Sequence, residues 1–358
     1  MRVPHFARRS LVALALTAGA VGCGGGDSNA PDAPFDPAGT TSDLGAMKAS
    51  FDSPVMEGYA SASEAISAVL GESPTAAAVM VTPTKALITG AGLGASHYAA
   101  AVAKAYARPS GVIRPSLSTA AILDEHLGVT FVYNTATDGY EASDLSGAPA
   151  DGARFIVYAV DPISGSPIEP LVEVGYADIA TTESASAATV RVELVSAGVT
   201  YLDYAVGLTA NSSAITIDVS GFVTNGDDRV NFDLDTRLAS EAVVLDYSLT
   251  VPTRGGFRID FEGEANAATV TTTLEARGPH GTVTIAGSQS ATTGSYEVEV
   301  NGALFATITL SEGQAPVIAG ADGEPLTEAE LNALAALFAV FTEGFDFFQD
   351  LLAPIGSA

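Results

Sequence analysis

The chain has 358 residues, with 42 acidic against 15 basic side chains, four His, one Cys and no Trp. A net charge of -27 with so few bases excludes nucleic acid held by counterion release. Hydrophobic residues at 47% against 16% charged exclude a disordered chain, while one Cys and four scattered His exclude an internal disulfide and a closed Cys/His zinc site.

Met1 to Ser10 carries Arg2, Arg8 and Arg9 and no acid, and the apolar run Leu11 to Ala20 is too short to span a membrane. Residues 1–22 therefore read as a secretory signal peptide. Ala20-Val21-Gly22-Cys23 resembles the lipobox of bacterial lipoproteins. The resemblance implies that Cys23 is acylated on sulfur and becomes the new N-terminus, so that the expected partner is a membrane entered through acyl chains such as palmitate. Gly24 in place of Asp is similar to lipoproteins sorted to the outer membrane. Removal of residues 1–22, which hold three Arg and no acid, takes the net charge from -27 to -30. Residues 23–43, with Gly24-Gly25-Gly26 and Pro31, Pro34 and Pro37, read as the lipidated cysteine and a flexible tether.

Residues 44–128 are Ala-rich, with helical spacing over Ser61–Leu70, Ala95–Ala107 and Ser118–Leu127. From Val129 the period changes to two, and residues 129–325 predict an antiparallel meander of about ten strands. Val190, Val192 and Leu194 alternate with Arg191 and Glu193; Val230, Phe232 and Leu234 alternate with Asn231, Asp233 and Asp235; Phe257, Ile259 and Phe261 alternate with Arg258, Asp260 and Glu262. Asn225-Gly226 and Asn301-Gly302 predict two-residue hairpin turns with both residues at positive φ. In residues 326–358, Thr327 and Glu330 form a capping box for a helix of about 25 residues, roughly 37 Å. Leu331, Leu334, Phe338, Phe341, Phe345, Phe348 and Leu352 make its apolar stripe. The fold expected is mainly β (α+β), a meander curled into a half-barrel or barrel against this helix.

Gly90, Gly92 and Ala95 in Leu87-Ile88-Thr89-Gly90-Ala91-Gly92-Leu93-Gly94-Ala95 are similar to the dinucleotide-binding fingerprint, but Pro109-Ser110-Gly111 stands where a ribose-binding acid belongs, so no cofactor is expected. His97, His126 and His280 have no carboxylate partner identifiable from sequence, and no catalytic grouping emerges. Asp227, Asp228, Asp233, Asp235, Asp246, Asp260, Glu262 and Glu264 suit either calcium or, more simply, a solvated acidic face with Arg229, Arg237, Arg254 and Arg258 as partners, and no metal site is assigned. Gly147 to Tyr176 resembles secreted bacterial proteins without assigned function. The expectation is a non-enzymatic, lipid-anchored envelope protein. Its curved sheet would hold an apolar ligand or lipid against Tyr204, Phe232, Leu245, Tyr247, Phe257, Phe261, Phe338, Phe341 and Phe345, an architecture similar in kind to the periplasmic lipoprotein carriers, which are half-barrels with a helical lid. The alternative is an acidic structural or adhesive surface protein with a packed interior.

Overall fold

A computed structural model describes residues 36–70, 122, 124–338 and 351, apart from 162, 185–186, 212, 240–241, 267, 291, 312–313 and 315. The described chain is mainly β. Two helices, α1 (Pro37–Phe51) and α2 (Pro54–Leu70), precede fifteen strands. These are β1 (Val129–Asn134), β2 (Gly139–Ser143), β3 (Gly152–Tyr158), β4 (Glu173–Glu183), β5 (Ala187–Ser196), β6 (Val199–Ala210), β7 (Ala214–Thr224) and β8 (Arg229–Ala239). They continue as β9 (Ala242–Val251), β10 (Phe257–Asn266), β11 (Val270–Gly278), β12 (Gly281–Gln289), β13 (Thr293–Val300), β14 (Ala303–Ser311) and β15 (Val317–Gly320).

All fifteen form one sheet in the order β15 back to β3, then β1 and β2. Every pair is antiparallel except β1 with β3, because the β1–β2 hairpin turns its first strand toward the sheet. The two edges, β15 and β2, do not pair, so the sheet is open and the barrel alternative is corrected. The strand number exceeds the expected ten because Thr-rich segments such as Thr271-Thr272-Thr273 in β11 pair as well as the Val/Ile runs do.

The period-two reading holds in the long strands β5, β8, β9, β10 and β13, whereas β3 buries the consecutive residues Phe155, Ile156 and Val157. Val230, Phe232, Leu234 and Leu238 are buried while Asp233 and Asp235 are exposed, and the inner rows of the other long strands join them in one apolar cluster. Asn301 and Gly302 both adopt positive φ, at 51° and 79°. Asn225-Gly226 differs: only Gly226 has positive φ, and Asn225 Oδ1 accepts from the amides of Asp227 and Asp228, so the connection is a four-residue loop capped by that side chain.

The helical region begins earlier than the tether reading placed it. Asp36 accepts from the Gly39 amide and Pro37 takes the first helical position, so α1 starts inside residues 23–43. The helix expected over Ser61–Leu70 lies within α2. Of the third expected helix, Ser118–Leu127, Asp124–His126 form a single 3-10 turn that runs on into β1. The Thr327–Glu330 capping box is present, with the Thr327 amide and hydroxyl each donating to Glu330 Oε2 at 2.7 Å, and residues 328–338 are helical. Its buried face is rotated by about one position: Ala333, Leu334 and Leu337 are buried, whereas Leu331 is 39% exposed. Cys23, His97, Gly90 and its neighbouring glycines, Ala95–Ala107, Phe341, Phe345, Phe348 and Leu352 lie outside the described residues.

Candidate functional site

The apolar face of the sheet carries most of the expected lining. Tyr204, Phe232, Leu245, Tyr247, Phe257 and Phe261 are all buried in the one cluster, with Phe338 packed against it. Strand register explains the gathering: Phe261 pairs with Tyr247, and Tyr247 pairs with Leu234, so inward positions form continuous rows across β8, β9 and β10. The rings of Tyr247 and Phe261 stack at 5.4 Å.

Three elements meet at Tyr204 on β6. Its hydroxyl donates to the carbonyl of Leu351 at 2.7 Å and accepts from the Tyr59 hydroxyl of α2 at 3.0 Å. Burial, and then the neighbouring Tyr59, push the Tyr204 hydroxyl far above the usual phenol range, so it stays a neutral donor. Leu334, Leu337 and Leu351 belong to the same cluster as the sheet residues.

Besides the tyrosine hydroxyls, Thr236 and Gln289 place polar atoms on this apolar face. Thr236 on β8 is fully buried between Leu234 and Leu238, and its hydroxyl has no hydrogen-bond partner among the described residues. Gln289 at the end of β12 is 7% exposed, and its Oε1 is likewise unpartnered. Buried polar atoms are nearly always satisfied, which makes both conspicuous in such surroundings.

The opposite face is acidic. Register sets Asp218, Asp235, Asp246 and Glu262 in one row across β7 to β10. Asp218 shares a hydrogen bond with Asp235, which together with burial and the nearby charges pushes its carboxyl up to about 6. Burial and neighbouring carboxylates also raise Asp233 and Asp246. A concavity of about 440 Å³ opens over these strands, lined by Asp233, Asp235, Asp246, Arg258, Glu262 and Glu275 among others. No group of three metal-ligating side chains with a fitting arrangement occurs among the described residues. Arg254 pairs with Asp228, and Arg258 and Arg277 with Asp260, whereas Arg229 meets Asn231 and the Phe222 ring instead of an acid.

His280 does have carboxylate neighbours, which sequence alone did not identify. Its Nδ1 lies 3.1 Å from Asp36 and its Nε2 3.7 Å from Asp43, both on the first turns of the molecule. His280 is more than 230 positions from either acid in the chain, and no local spacing signals the meeting. With both ring nitrogens turned to acids, the histidine ties α1 to the β11–β12 turn. His126 packs edge-on to Phe131. No family model matches the chain, and no curated protein or solved structure matches it.

Proposed function

We propose that the protein is a non-enzymatic, lipid-anchored component of a bacterial cell envelope, held at the outer membrane through acyl chains on Cys23, whose curved sheet holds an apolar ligand carrying a polar group. The observation that carries the ligand reading is two buried polar atoms without a hydrogen-bond partner among the described residues, Thr236 Oγ1 and Gln289 Oε1, on a face also lined by Tyr204, Phe232, Leu245, Tyr247, Phe257 and Phe261. A ligand with an aliphatic body and a hydrogen-bonding group that reaches one of these two atoms, which lie four strands apart on β8 and β12, matches the apolar rows and that atom together.

Curvature follows from dimensions. Fifteen flat strands would span about 67 Å at the usual spacing, and sheets of more than about ten strands curl or split. The apolar rows of β1 to β14 nevertheless form a single cluster. A half-barrel closed by the C-terminal helix accommodates this, with α1 and α2 across one end. There α1 reaches from His280 in the β11–β12 turn to Asp228 in the β7–β8 turn, and α2 meets Gly165 in the β3–β4 loop. Phe338, Phe341 and Phe345 complete the proposed lining.

A second reading is favoured by one observation: the inner aromatic side chains Tyr204, Phe232, Tyr247, Phe257 and Phe261 are at most 4% exposed, as in a packed interior, while the 440 Å³ concavity lies on the acidic face. In that case the domain is a structural or adhesive surface protein. Two assays test the proposal. Radiolabelled palmitate should enter the wild-type chain and not Cys23→Ala. A neutral apolar dye, N-phenyl-1-naphthylamine, should bind the folded mature domain saturably at one site; a fluorescence rise that never saturates, or none, favours the packed interior.

A further inference from the structure

Alternation of the meander, with β1 parallel to β3, puts seven strand connections at one end of the sheet: residues 135–138, 159–172, 197–198, 225–228, 252–256, 279–280 and 301–302. Of the last six, the 159–172 loop is the longest and is internally held. Ala159 donates to the Val172 carbonyl, Ile168 to the Ala159 carbonyl, and Asp161 and Gly165 close a turn within it. The Asp161 carboxylate accepts from the amides of Ile163 and Ser164 at 2.9 and 2.8 Å, so this acid points into its own turn. Ser61 of α2 donates to the Gly165 carbonyl and fixes the loop on the helix. Ile163 is left at the tip with 90% of its surface exposed, followed by Val172 at 50% and Ile168 at 42%. Val199, 48% exposed, opens the neighbouring hairpin strand at the same end. A hydrogen-bonded loop tied to α2 thus presents an apolar tip of Ile163, Ile168 and Val172 to solvent.

The chain enters the fold at this end too, since Asp36 meets His280 in the β11–β12 turn. Residues 24–35 separate it from Cys23; such a Gly- and Pro-rich segment spans about 19 Å on average and at most about 40 Å. An acylated Cys23 would therefore hold this end, rather than the opposite one, near the lipid.

We infer that this end of the sheet faces the bilayer and that the 159–172 loop seats Ile163 in the interface of zwitterionic lipid. The inference rests on the anchoring proposed for Cys23. Glu169 in the loop and a mature net charge of -30 disfavour an anionic surface.

The test uses the full lipidated chain in vesicles of phosphatidylcholine and phosphatidylethanolamine. Because the chain has no Trp, Ile163→Trp supplies a single reporter. Leu145→Trp supplies a control at the opposite end, where Leu145 follows β2 and is 54% exposed. Brominated phosphatidylcholine should quench the first variant severalfold more than the second, with both retaining the wild-type melting temperature. Equal quenching in protein that floats with the vesicles overturns the loop's role and leaves the anchor standing. Protein that fails to float overturns both.

Discussion

Tyr204 joins strand, helix and C-terminal segment through one hydroxyl, and its removal isolates two of them. Tyr204→Phe leaves the Leu351 carbonyl and the Tyr59 hydroxyl without this partner. The expected loss is about 1–3 kcal/mol, several degrees in Tm by calorimetry. Thr236 behaves in the opposite way. Thr236→Val replaces an unpartnered buried hydroxyl by a methyl of similar shape, so the unliganded domain should melt at an equal or higher temperature, while affinity for a ligand that uses this hydroxyl falls. A lower Tm without ligand would show that the hydroxyl is already satisfied.

At the level of strands and helices, the row Asp218, Asp235, Asp246 and Glu262 sets like charges opposite one another, an unfavourable pairing at neutral pH. A carboxyl at about 6 in the fold, against a lower value unfolded, binds more protons folded than unfolded between the two. Stability therefore rises as pH falls from above 6 toward 4, and the raised Asp233 and Asp246 act in the same direction. Thermal melts should give a higher Tm at pH 5 than at pH 7.5, and Asp218→Asn should narrow the gap by raising the value at pH 7.5. A Tm that falls at pH 5 contradicts this. Thr327→Ala removes the capping box and should cost about 1 kcal/mol, read as an earlier chemical unfolding midpoint. Both features differ in how visible they were beforehand. The capping box and the Val230-Phe232-Leu234 alternation are local patterns, and sequence displays them fully. The α1 start is marked locally by Asp36 and Pro37, a cap signal that the Pro-rich composition of residues 23–43 obscured, whereas the β1–β3 parallel pairing and the meeting of His280 with Asp36 and Asp43 depend on long-range packing, which leaves no periodic trace. The rotation of the C-terminal helix's buried face to Leu334 and Leu337 has the same origin: a 3,4 repeat fits two neighbouring stripes, and the partner surface chooses.

For the whole molecule, the question is what covers the apolar face of a wide, open sheet. Aromatic side chains on β6, β8, β9 and β10 serve a packed core or a ligand site equally well, so the inward rows were legible in sequence while their purpose was not. The acidic outer face and the proposed anchor at Cys23 fit either use. Native mass spectrometry of the Cys23→Ala mature domain, purified gently from a periplasm, addresses the point directly. The ligand-holding fold requires a stoichiometric lipid-sized adduct that organic solvent removes. A single apo mass, unchanged by solvent and accompanied by a sharp thermal transition, would mean that the helices and side chains fill the sheet themselves.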